Sequence, residues 1–179
     1  MSGRSGKAPV IPDQDDLLDL LRARGEATSV SVSPDRLEFG DLENRDAVEK
    51  VGSRWVVSHS GRDGAFVPVL STPDVGYVQR RLAQSSVGAT RRALGYPFPW
   101  LPVEASGVSP RFALDVDRAA GVAVLTDLAT RIVVRFGGGG SEAHAVQASW
   151  TAGTSWRDLL VIARRLDAAR ELGVPDGLV

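Results

Sequence analysis

The residues best suited to proton transfer or metal binding in this chain are its two histidines, His59 and His144. His59 lies between Ser58 and Ser60 with Asp63 nearby, which suggests a Ser-His-Asp relay. Neighbouring strand residues point to opposite faces, so neither adjacent serine can meet the imidazole as nucleophile and base. His144 follows Glu142 beside the glycine run 137–140. Two potential ligands on one loop do not complete a metal site. A glycine run after a strand also suggests a phosphate cradle. No Lys-Ser/Thr follows, the dinucleotide glycine spacing is absent, and no helix is expected to open directly after it. The earlier Gly3–Gly6–Lys7 cluster fails on spacing as well. Asp115 and Asp117 share one strand face and, with Glu142, are the acids that could serve a glycosidase-like reaction. Solvated acids at a strand end account for them more simply. No cofactor signature emerges, and none is expected.

The elements that must position these groups follow from periodicity and turn chemistry. Residues 1–12 are rich in Ser, Gly and Pro and read as a disordered tail; residues 13–179 read as a single α+β domain. Asp13 caps a first helix to about Arg24 with Leu17, Leu18, Leu20 and Leu21 inward. Alternating Val30 and Val32, then Arg36 to Gly40, then a charged edge strand from Ala47 to Val51, make a meander. Residues 55–59 and 65–70 form a hairpin through Asp63-Gly64, and Pro68 requires an edge or a bulge. Thr72-Pro73-Asp74 starts a central helix over residues 75–82, with Arg80 and Arg81 outward. A second short helix covers 86–94. The Pro97–Pro102 crossing is extended. A second hairpin, the strand 131–136, a short strand at 145–150 and a final helix over 156–172 complete the order. The result is α+β: a mainly antiparallel twisted sheet packed by an N-terminal, a central and a C-terminal helix.

Composition narrows the function classes. The 179 residues carry 21 basic and 22 acidic side chains, a formal net charge of −1, so no cationic excess suits nucleic acid or anionic lipid. Nineteen of the basic residues are arginine, which favours planar carboxylate recognition. There is no cysteine, which removes disulfides and thiol chemistry and suits a cytoplasmic protein. No apolar run approaches the roughly 20 residues of a membrane span.

The chain resembles immunity-protein family 61, antitoxins of the kind that neutralise tuberculosis necrotizing toxin. The resemblance lies in Arg54-Trp-Val-Val-Ser-His-Ser-Gly-Arg62, in Phe66 and Ser71, in residues 75–82 with Tyr77, in Arg91-Arg92 and in the Pro97–Pro102 crossing. The flanking helices, 17–24 and 156–172, are similar in order. The resemblance implies a cytoplasmic, non-enzymatic protein that binds a cognate secreted NAD(P)-glycohydrolase toxin and blocks its active site, with no nucleic-acid or membrane partner. The partner-binding residues expected on aromatic or flexible loops are Trp100, Glu104, Ser106, Ser109, Gly138, Gly139, Glu142 and His144. Two other readings stay open: a chaperone or adaptor of a secretion system, and a small enzyme using Asp115, Asp117 or Glu142.

Overall fold

The computed structural model describes residues 9–178. Eight strands form one antiparallel sheet in the order β1-β2-β3-β4-β5-β8-β7-β6. The first five make a continuous meander: β1 (Ser29–Ser33), β2 (Arg36–Gly40), β3 (Arg45–Val51), β4 (Arg54–Ser60) and β5 (Val67–Thr72). The chain then crosses the molecule through α2 (Val75–Ala93) and returns as β6 (Phe112–Asp117), β7 (Val122–Asp127) and β8 (Val133–Gly137). Helix α1 (Gln14–Arg22) precedes the sheet, and α3 (Ser141–Thr151), α4 (Trp156–Ile162) and α5 (Ala168–Glu171) follow it. This is the expected α+β architecture, with helices at the N-terminus, centre and C-terminus.

Helix α2 packs on α1, α4 and strands β4 and β5, while α3 packs on β6, β7 and β8. Along β8 the alternation is plain: Val134 and Phe136 are buried, Val133 and Arg135 exposed. The main core joins α1, α2, α3 and the sheet through residues such as Leu17, Leu37, Val48, Leu70, Val78 and Leu125. A second cluster of Val87, Trp100, Leu101, Leu159, Ala163, Ala168 and Val174 fixes the C-terminal helices to α2 and to the proline crossing.

Several local expectations are corrected. Residues 1–8 of the expected tail lie outside the described residues, but its end at Pro12 is too late. Ile11 is 1% exposed in the core, and Val10 N–H donates to Gln14 Oε1. Asp13 precedes α1 but does not cap it; its backbone is left-handed (φ 58°), and its carboxylate accepts from Trp156 Nε1 and Arg157. Strand β3 is interior, paired with β2 on one side and β4 on the other, and Glu49 forms a cross-strand ion pair with Arg36 rather than guarding an edge. Strand β5 is interior too, and it carries the expected bulge at Val69, next to Pro68 and opposite Val57 and Ser58 of β4. The cap of α2 is Asp74, whose carboxylate accepts from Gly76 N–H, while Thr72 ends β5 and accepts from Asp74 N–H. One helix of 19 residues replaces the two expected there.

The segment 145–150 is helical. Ala145, Val146 and Ser149 are its buried residues, the i, i+1, i+4 spacing of a helix face. Helix α3 therefore opens directly after the glycine run, contrary to expectation. The expected last helix is broken into α4 and α5, and Leu166 is exposed rather than inward. Of Thr154 and Ser155, the two residues suited to cap this helix, Ser155 does so, accepting from Asp158 N–H.

Candidate functional site: a loop rim and an arginine-lined cavity

The loops singled out by sequence meet at the N-terminus of α3. Glu142, in the first turn of that helix, gathers them. Its Oε1 accepts from the backbone N–H of Ala105 (3.0 Å), in the turn that carries Glu104 and Ser106. Both carboxylate oxygens accept from Arg118 in the β6–β7 turn, each at 2.9 Å. Such a bidentate pair fixes orientation as well as charge. The Arg118 hydrogen bonds, and then the Ala105 N–H, hold the Glu142 pKa below the usual carboxylate range. The negative charge also complements the positive end of α3. Glu104, Ser106, Gly138 and Gly139 are all exposed on this rim. Gly138 needs its glycine for φ 85°, whereas a side chain at Gly139 would meet only open space.

Other expected contact residues are elsewhere. Trp100 is 5% exposed and belongs to the second core cluster; stacking against the Arg91 guanidinium holds it inward. The exposed aromatic of the crossing is Phe98, at 52%. Ser109 is buried, with its N–H donating to Ser149 Oγ. Asp115 is an exposed residue of the edge strand β6, and Asp117 Oδ1 accepts from Ala120 N–H in the β6–β7 turn. Glu142 is engaged by Arg118, so Asp117 and Glu142 each have a hydrogen-bonding role of their own. His59 pairs through Nδ1 with Asp46 Oδ1 (3.0 Å), while Asp63 caps its own turn by accepting from Ala65 N–H.

His144 faces inward. It lines a cavity of about 50 Å³ between α2 and α3, together with Tyr77, Arg80, Arg81, Gln84 and Gln147. Its ring lies over Gly140, where an added Cβ would come within 3.0 Å of Cε1; the glycine makes room for the imidazole. Burial first, and then the charge of Arg81, push the His144 pKa down to about 4. Burial lifts the Tyr77 phenol to about 12.

Sequence periodicity placed Arg80 and Arg81 outward, and Arg80 is instead 9% exposed. Its guanidinium stacks on Tyr77 (4.6 Å) and donates from Nη1 to Thr154 O (3.2 Å). Burial lowers the pKa of both arginines. Arg81 is only partly covered by surface area, yet the protein packed around it still removes much of its hydration. Among the described residues no cluster of three or more His, Asp or Glu is placed to hold a metal ion, and no helix is long and apolar enough to cross a membrane.

A consequence for acid stability follows from His144. Its folded pKa lies below the unfolded value near 6.5, so the unfolded chain takes up the proton first. Stability from this group is intact above pH 6.5 and falls as the pH drops toward 4. The total loss is on the order of 3 kcal/mol. His144→Gln should flatten that segment of the stability profile in urea melts between pH 7 and 4. An unchanged slope would contradict the assignment.

No protein-family model matches the chain, and no curated protein matches it. A solved structure does. Rv3902c from M. tuberculosis superposes with a TM-score of 0.69 at 16% identity, covering 92% of this chain and 95% of that one. At that identity the likeness is one of fold.

Proposed function

We propose that this chain is a cytoplasmic immunity protein, a non-enzymatic antitoxin that binds a secreted NAD(P)-glycohydrolase toxin and covers its NAD site. The observation that carries the reading is the rim organised by Glu142. Two loops from different parts of the chain are tied to one carboxylate beside the exposed glycine loop that leads into its helix, giving a surface ordered before a partner arrives. The sequence resemblance to immunity-protein family 61 supplies the partner class. A stable complex would bury roughly 800 Å² on each side, and the rim would form its centre.

The test mixes the purified chain with the glycohydrolase-like domain encoded beside its gene. NAD hydrolysis should fall to background at one equivalent, with a 1:1 complex on sizing. Gly139→Trp places bulk on the rim without an internal clash, so it should keep the wild-type Tm and weaken inhibition at least about tenfold. Absence of both complex and inhibition in the wild type would overturn the antitoxin reading. Full inhibition by Gly139→Trp would remove the rim from the interface.

A further inference from the structure

Arg80 holds a feature that the rim does not explain. Its Nε and Nη2 are shielded from solvent and have no hydrogen-bond partner. A buried guanidinium with two unpartnered nitrogens is costly, and native interiors rarely keep one without a compensating group. Arg81 lines the same cavity, and among the described residues neither arginine forms an ion pair. Asp74 acts on Arg80 and Asp46 on Arg81 only through space. No carboxylate lines the cavity. The remaining polar lining adds donors: the Tyr77 hydroxyl, the neutral His144, and Gln147, which accepts through Oε1 from Gln84 (2.6 Å) and so keeps its NH2 to donate.

We infer that the cavity between α2 and α3 is a binding site for a small oxyanion, a phosphate or a short carboxylate, held chiefly by Arg80 and Arg81. Size and sign agree. A volume of about 50 Å³ admits a group as large as about three to five waters. That suits a single tetrahedral or planar anion and excludes a nucleotide. Water alone would satisfy the donors but leave two neighbouring positive charges without a direct anionic partner, facing Asp74 and Asp46 only at a distance. Guanidinium groups bind such anions through paired N–H donors. This site is distinct from the rim and does not depend on the antitoxin reading.

Calorimetric titration of the full chain with inorganic phosphate, and separately with acetate, at constant ionic strength should show one saturable site. Whichever anion binds at least tenfold tighter identifies the class. In thermal melts that anion should raise the wild-type Tm by roughly a few degrees at saturation. Arg80→Met and Arg81→Gln should each lose that increment, and comparison with them cancels the general stabilisation by excluded salts. Should Arg80→Met fail to fold, Arg81→Gln and a direct 15N titration of the wild-type arginine Nε–H signals decide the matter. No saturable heat with either anion, or equal Tm increments in wild type and variants, would mean that the cavity holds only water and would overturn the inference.

Discussion

Arg91→Ala should destabilise the protein by about 3–5 kcal/mol and lower Tm by roughly 6–20 °C. Arg91 is 2% exposed, and its guanidinium lies between Tyr96 and Trp100. It donates to Pro97 O, Ala163 O and Arg165 O at 3.4, 3.3 and 2.8 Å. Ala163 is the C-cap of α4, where the last peptide oxygens lack partners within the helix, and Arg165 lies in the turn that follows. A cation placed there satisfies the acceptors and opposes the negative end of the helix dipole. The same contact accounts for the break between α4 and α5, because carbonyls already bonded to Arg91 do not require the helix to continue. Alanine would remove the donors, leave the buried Ala163 carbonyl without its partner, release two more exposed carbonyls and open a void beside Trp100. Urea melts should show a lower midpoint with little change in slope, and Arg91→Lys should restore only part of the loss. A cost below about 1 kcal/mol would show that the clamp is not a principal support.

Gly137→Ala should be nearly as damaging, at about 3 kcal/mol. A Cβ at this position would approach the backbone oxygen of Pro68 to 2.5 Å. A backbone oxygen inside a sheet cannot turn aside as a long side chain can, so β8 would have to move away from β5. The two strands are paired only at Leu70↔Phe136 and Ser71↔Arg135, and little else would hold them. Arg54 supplies the main lateral tie, donating to Ser71 Oγ, Ser71 O and Val133 O at 2.8–2.9 Å. The expected readout is a lower Tm together with loss of amide protection in β8. The neighbouring Gly139→Trp, with open space around it, serves as the neutral control.

These two residues mark where sequence reasoning reached and where it stopped. The meander was legible because hairpins are local: Asp63-Gly64, with φ 74° at the glycine, and the alternation of β1 and β7 each carry their own signal. Helix α3 was missed because Gly140 provides no side-chain cap and its few apolar residues form no sharp stripe. Arg80 was misplaced, and the burial of Arg91 went unread, for a common reason. Charge reads as exposure in a sequence, and only tertiary contacts reveal the Tyr77, Tyr96 and Trp100 rings that receive the guanidinium groups. The rim was half visible. Exposed loops at 104–106 and 138–139 could be named, but nothing local linked them to each other or to Arg118. That link runs through Glu142, whose partners are distant in the chain.

The β5–β8 pairing also shapes how the molecule comes together. Strands β1 to β5 are contiguous in sequence, as are β6 to β8, and each set zips through neighbouring hairpins of low contact order. The joint between Ser71 and Arg135 is different, because α2, the proline crossing, β6 and β7 all intervene. Closing it carries a loop entropy that no local turn repays. The sheet is thus two locally paired sets joined along a short border, and it is the core the two sets share beneath the helices, rather than strand pairing, that couples them.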